Sequence, residues 1–164
     1  MKFFIDTADI KQIEELIPTG LVDGVTTNPS LIAKNGDDMA KTIKAICSIV
    51  SGPVSAEVTA TDYDTMLQEG EFLASLAKNV AVKVPLTPSG LRTCKTLRER
   101  EILVNVTLCF TAAQALLANY KKKPLGSFGD LATISFHDSK NPYFLQLKGT
   151  THQNLHLNFL HEID

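Results

Sequence analysis

The sequence predicts an α/β protein built on a parallel sheet. Short apolar runs rich in β-branched residues recur along the chain, and stretches with helical spacing of apolar residues separate them. One polar residue sits late in each run, just before a turn. Runs this short suit strands buried on both faces, and strand–helix alternation implies βα units feeding a parallel sheet.

The first run is Phe3-Phe4-Ile5. After it, Ile10, Ile13 and Ile17 share a helix face, with Thr7 or Asp9 as the N-cap and Pro18 as the stop. Gly24-Val25-Thr26-Thr27 is the second run. Met39, Ile43, Ile46 and Val50 then repeat the helical spacing after Asp37-Asp38, ending near Gly52-Pro53. Val54 to Val58 is the third run, followed by Tyr63, Met66, Gly70 and Leu73 on a helix opened by Asp62. Val80 to Val84 is the fourth, and Leu91, Cys94 and Leu97 mark a helix after Ser89-Gly90. Ile102 to Val106 is the fifth, and Thr111 is expected to cap a last helix over Ala112 to Ala118. Pro29 and Pro85 follow strand-end residues and read as fixing loop geometry.

The bulk properties bound the function. A chain of 164 residues, 44% hydrophobic and 21% charged, has the size and mixture of one ordinary globular domain. A formal charge of −2 excludes a generally basic nucleic-acid surface, so no nucleic-acid partner is expected. No run of 18 apolar residues offers a membrane span, so no membrane partner is expected either. A run of only three apolar residues, Phe3 to Ile5, precedes Asp6, too few for a signal-peptide core. Cys47, Cys94 and Cys109 are odd in number, lack metal-ligand spacing and read as reduced thiols, which points to a cytoplasmic protein. The glycosylation triplet Asn105-Val106-Thr107 falls in an expected buried strand and is set aside.

Composition changes sharply along the chain. All ten valines, all three arginines and thirteen of the fourteen alanines precede residue 119, whereas all four histidines follow it. The chain therefore divides into residues 1–118, which carry the strand–helix pattern, and a tail, 119–164. The change reads as a translated alternative reading frame or a replaced terminus after about Ala118.

The polar residues at the strand ends carry the chemistry. Asp6, Asn28, Glu57, Lys83 and Asn105 are separated by 22, 29, 26 and 22 residues, so each βα unit delivers one polar group to the same edge. Ligands bind at that C-terminal edge in parallel α/β folds, whether barrel or open sheet. A single buried polar residue is commonly a satisfied core group, but five at one phase argue for a site. Lys83 matters most. A lysine between Val82 and Val84 is desolvated, which favours the neutral, nucleophilic amine, and such lysines form Schiff bases with carbonyl substrates. Asp6 or Glu57 would then move protons. A lysine stem snorkelling from a strand end is the plain alternative.

These residues carry a family resemblance. Phe4-Ile-Asp-Thr-Ala8, Gly24-Val-Thr-Thr-Asn-Pro-Ser30, Val54-Ser-Ala-Glu-Val58, Val82-Lys-Val-Pro85 and Asn105-Val-Thr107 resemble, in order and spacing, the transaldolase family. They are most similar to its short branch, which includes the fructose-6-phosphate aldolases. The resemblance covers residues 1 to about 118. It implies a (β/α)₈ TIM barrel, here truncated after about five βα units with an atypical tail. It implies a catalytic set in which Lys83 forms the Schiff base, Asp6 assists carbon–carbon cleavage, Glu57 relays protons through a water, and Thr107 holds that water. It implies substrate-binding roles for Asn28, Asn105 and Thr27. The implied reaction moves a dihydroxyacetone unit from sedoheptulose 7-phosphate to glyceraldehyde 3-phosphate, a step of the pentose phosphate pathway, with sugar phosphates as partners. The resemblance implies no metal or organic cofactor, and it implies homo-oligomers, although here the tail replaces the region that commonly builds those contacts. Glu57 favours the transferase, since the aldolases carry glutamine at that position.

The tail offers little of its own. The family's phosphate-gripping serine and arginine have no counterpart, since no arginine follows Arg100, and Lys121 offers charge without the guanidinium fork. Lys121 to Pro124 reads as a solvated helix end, and Gly126 to Gly129 is too sparse for a phosphate loop. His152 and His156 are four apart, yet Leu155, Leu157 and Phe159 alternate as in a strand, so no metal site is assigned. Three functions stay open: a transaldolase, a fructose-6-phosphate aldolase-like lyase, or a catalytically inactive truncated relative. The last of these predicts open, unpaired strand edges.

Overall fold

Period-2 alternation gives each apolar run two faces with different fates. In a computed structural model, which describes residues 2–34, 38–109, 131–134 and 157–160, the five runs form β1 (Lys2–Asp6), β2 (Gly24–Thr26), β3 (Val54–Glu57), β4 (Val80–Pro85) and β5 (Leu103–Cys109). Successive strands pair in parallel. One face turns outward: Val25 and Val54 pack on Ile13 and Ile46, while Val80, Val82, Val84, Val104 and Val106 join Ile43, Met66, Leu73, Cys94 and Leu97 in the larger core. Hydrophobic burial between the strands' outer face and the helices is the main stabilising term of such a βα layer.

The other face turns inward. Phe4 and Ala81, with partly buried Leu103, form a separate small core. Gly24 is the register partner of Phe4, and a Cβ there would overlap the Phe4 ring and the Pro53 carbonyl oxygen. Glycine at this position is what lets the ring fill the interior.

The helices follow the expected pattern in most places. α1 (Ile10–Leu16) is capped by Asp9, whose Oδ1 accepts from the Lys11 and Gln12 amides, and Pro18 lies in the 3₁₀ turn that ends it. α2 (Pro29–Lys34) is a short helix where the sequence pattern predicts a loop. There Pro29 is the first helical residue, where its missing N–H costs nothing. α3 (Met39–Ile49) starts at Asp38, α4 (Tyr63–Leu76) at Asp62, and α5 (Pro88–Glu99) at Thr87. Thr87 and Pro88 begin α5 ahead of Ser89-Gly90, with Thr87 Oγ1 accepting from the Gly90 amide at 3.0 Å. The helix expected over Ala112 to Ala118, with its Thr111 cap, lies outside the described residues.

The sheet closes. Two four-residue strands, β6 (Leu131–Ile134) and β7 (Leu157–Leu160), complete a ring in the order β1-β2-β3-β4-β5-β6-β7. β6 runs parallel to β5, and β7 runs antiparallel to both β6 and β1. The outer edges of β1 and β5 are therefore paired, where the inactive-relative reading expects them open. Among the described residues, the architecture is that of a (β/α)₈ barrel through five parallel strands and the helices between them, in a ring of seven strands. Among the described residues, no helix is long and apolar enough to cross a membrane.

Candidate active site

Above the apolar floor, the inward face becomes polar. Strand pairing places Asp6 beside Thr26, Thr26 beside Ser55, Glu57 beside Lys83, and Lys83 beside Asn105. These side chains share the phase of Phe4, Ala81 and Leu103, two residues further along each strand. The C-terminal half of the interior is thus a polar cup on an apolar base, at the end where parallel α/β barrels carry their sites.

Lys83 is at the centre of the cup, 9% exposed. Its Nζ lies 3.1 Å from Glu57 Oε2 and donates to the Thr27 carbonyl oxygen at 3.4 Å. The ammonium is therefore tethered from two strand ends rather than snorkelling into solvent. Glu57 retains 21% side-chain exposure, so its carboxylate faces both the amine and the mouth of the barrel. The loop after Glu57 is held to β4 through the Val58 amide, which donates to the Lys83 carbonyl at 3.1 Å.

The remaining residues are held by their own contacts. Asp6 Oδ1 accepts from Thr26 Oγ1 at 2.9 Å. Asn105 is fully buried, and its Nδ2 donates to Ser55 Oγ at 2.9 Å. Thr107 is buried on β5 opposite Pro85, with its carbonyl accepting from the Leu86 amide. Asn28 spends its Oδ1 on capping α2, accepting from the Leu31 amide at 2.9 Å, which leaves the NH₂ end to meet a ligand. The Thr27 hydroxyl is buried and donates to the Ser55 carbonyl at 2.8 Å, so Thr27 reaches Lys83 through its own carbonyl.

The structure brings Lys83, Glu57 and Thr27 into direct contact. It sets Asn105 next to Lys83 in register and holds Asp6 through a separate pair with Thr26. Two further members of the cup, Thr26 and Ser55, lie outside the five strand-end residues that the sequence singles out and are 1% and 0% exposed. Their signal was period 2, since Ser55 precedes Glu57 by two residues and Thr26 precedes Asn28 by two. Lys121, Gly126, His152 and His156 lie outside the described residues.

A buried lysine paired with a carboxylate at the C-terminal end of a βα barrel fits amine chemistry on a carbonyl, and comparison with known proteins narrows it. The model of the Transaldolase/Fructose-6-phosphate aldolase family matches residues 3–136. The chain belongs to this family. The family match extends past residue 118, where the motif resemblance ends. Curated relatives align over a shorter stretch. A protein of Rhodospirillum centenum named "Probable transaldolase" is 63% identical over 118 residues, covering 72% of this chain and 51% of that protein. Proteins with the same name from Parvibaculum lavamentivorans and Sphingopyxis alaskensis are 64% and 62% identical over 118 residues, which is 54% and 55% of their lengths. The chain spans about half the length of the curated relatives it matches.

Proposed function

We propose that this chain performs the Schiff-base chemistry of a transaldolase, moving a dihydroxyacetone unit from sedoheptulose 7-phosphate to glyceraldehyde 3-phosphate. The observation that carries the proposal is the 3.1 Å contact between Lys83 Nζ and Glu57 Oε2 on the inner face of the barrel.

The residues support each step. Lys83 gives a proton to Glu57 and attacks the ketose carbonyl, forming a carbinolamine. Glu57, acting through a water positioned by Thr107, returns a proton to the departing hydroxyl, and water leaves to give the protonated imine. Asp6 then takes the proton of the hydroxyl on the carbon beyond the bond to be broken. That bond's electron pair flows into the imine, an aldose leaves, and an enamine remains on Lys83. The enamine attacks the acceptor aldehyde, Asp6 returns the proton, and hydrolysis frees Lys83. Asn28 and Asn105 hold the hydroxyls of the bound three-carbon unit, and such fixed orientation contributes several powers of ten in rate.

A second reading is an aldolase-like lyase that releases free dihydroxyacetone, because the matching family includes both activities. Glu57 favours transfer over release.

Borohydride trapping with fructose 6-phosphate, read by intact mass and peptide mapping, tests the proposal. The expected result is one reduced adduct, on Lys83, absent in Lys83→Met. No adduct on this chain, while an intact family member traps beside it, would overturn the proposal in favour of a catalytically inactive relative.

A further inference from the structure

The loop that follows Glu57 has no strand partner of its own beyond Val58. It is held instead by one carboxylate on the helix behind it. Glu69, on the second turn of α4, accepts three hydrogen bonds from two consecutive loop residues. Its Oε2 accepts from the Thr59 amide at 2.7 Å and the Ala60 amide at 3.0 Å, and its Oε1 accepts from Thr59 Oγ1 at 3.0 Å. Charge-assisted bonds to a carboxylate are shorter and stronger than neutral ones, and a bidentate grip fixes orientation as well as distance.

Thr59 is two residues from Glu57, and Val58 between them is tied to the Lys83 carbonyl. The chain from Glu57 to Ala60 is thus anchored at two places. Val58 fixes it to β4, and Glu69 fixes it to α4. Release of the second anchor leaves the backbone after Glu57 free to swing, and with it the carboxylate that meets Lys83 at 3.1 Å.

We infer that Glu69 is a positioning residue for the Lys83–Glu57 pair, acting through the Thr59–Ala60 backbone without touching substrate. The inference rests on the Schiff-base reading above. It assigns a reaction-rate role to a residue on the outer helix layer, outside the polar cup.

The test compares wild type, Glu69→Gln and Glu69→Ala in borohydride trapping at saturating fructose 6-phosphate. Both the first-order rate and the final fraction of labelled chain are followed, with a thermal melt of each variant beside them. Glu69→Gln keeps the shape and one acceptor oxygen, whereas Glu69→Ala removes every acceptor. The expected result is full final labelling in all three, with a rate reduced on the order of tenfold in Glu69→Ala and less in Glu69→Gln, since small misplacements of reacting groups carry costs of this size. A merely structural role would lower the melting temperature and the labelled fraction while the folded molecules react at the wild-type rate. That outcome, or equal rates in all three proteins, overturns the inference. Absence of trapping in wild type overturns the Schiff-base reading, and the inference with it.

Discussion

Glu57 and Lys83 are register partners on adjacent parallel strands, and their side chains close to 3.1 Å on the inner face of the barrel. Direct cross-strand neighbours on one face of a sheet are held at side-chain contact distance by the backbone ladder itself. The ladder therefore brings the two side chains within reach of each other, and the anchored loop after Glu57 holds the carboxylate in place.

The carboxylate's charge, rather than its shape, is what the proposed proton relay uses. Glu57→Gln keeps an oxygen beside Lys83 but cannot accept and return a proton. Its trapping rate with fructose 6-phosphate is expected to fall by about a hundredfold, the lower range for loss of a general acid–base group. Circular dichroism should stay unchanged. A rate within a factor of two of wild type would place the relay on another residue, with Asp6 the next to test.

Much of this arrangement is legible in the sequence, for a physical reason. A strand buried outside against helices and inside against a polar site must alternate, and Val82-Lys83-Val84 or Val104-Asn105-Val106 displays that alternation in three letters. Elements with weaker periodic signals were hidden. α2 buries only Ile32 among its described side chains, so Pro29–Lys34 shows no apolar stripe, and its cap is Asn28, which the sequence marks instead as a strand-end residue of the expected site. Ser55 and Thr26 were missed because hydroxyl residues in strands are common and carry no charge to mark them. β5 runs on to Cys109, beyond the expected Val106, through Leu108 at φ 65. Left-handed backbone at a leucine is not something composition announces. β7 is foreshadowed by the strand-like alternation of Leu157 and Phe159, whereas β6 has no such signal, and the pairing of these distant four-residue segments depends on the finished ring.

Glu101 offers a local test of the helix ends. α5 closes with the Glu101 amide donating to the Arg98 carbonyl and the Ile102 amide to that of Leu97, the two bonds of a Schellman motif. The left-handed residue in this motif is usually glycine, but here it is Glu101 at φ 61. A side chain in that region costs about 1–2 kcal/mol, part of which glycine gives back through its looser unfolded state. Glu101→Gly should therefore stabilise the protein by about 0.5–1 kcal/mol in urea denaturation. A destabilised variant would show that the Glu101 side chain makes a compensating contact.

Acid should weaken the α4 anchor. Burial pushes the Glu69 carboxyl upward, but hydrogen bonds from Ala60 and Thr59 outweigh it and hold the group below its ordinary 4.5, against the nearby charge of Asp62. Asp62 is likewise held below 3.8, chiefly by the Thr65 amide that it caps. A carboxyl depressed in the folded state contributes stability that is complete above the unfolded value and is lost as pH falls through the folded one. Unfolding midpoints should be flat above about pH 5 and decline below the ordinary carboxylate range. Glu69→Gln should start from a lower plateau and lose less over the same interval. A variant that declines as steeply as wild type would remove Glu69 from the acid response.

Thr93 separates a requirement of the fold from one of the site. It is fully buried on α5, as are Cys94 and Leu97, and among the described residues its Oγ1 meets no hydrogen-bond partner. A buried hydroxyl without a partner forfeits its hydration and gains nothing in exchange, at a cost of about 1–3 kcal/mol. Thr93→Val exchanges the hydroxyl for a methyl of similar size and keeps the branched Cβ, so helix propensity changes little. Stability should rise by about 1 kcal/mol, visible as a higher urea midpoint at an unchanged slope. Trapping at Lys83 should keep its rate, because α5 supports β4 from outside and its packing is preserved. A fall in stability would mean that the hydroxyl has a partner in solution, such as an ordered water. A fall in rate alone would mean that α5 transmits its packing to Lys83, which would make the helix layer part of the catalytic apparatus.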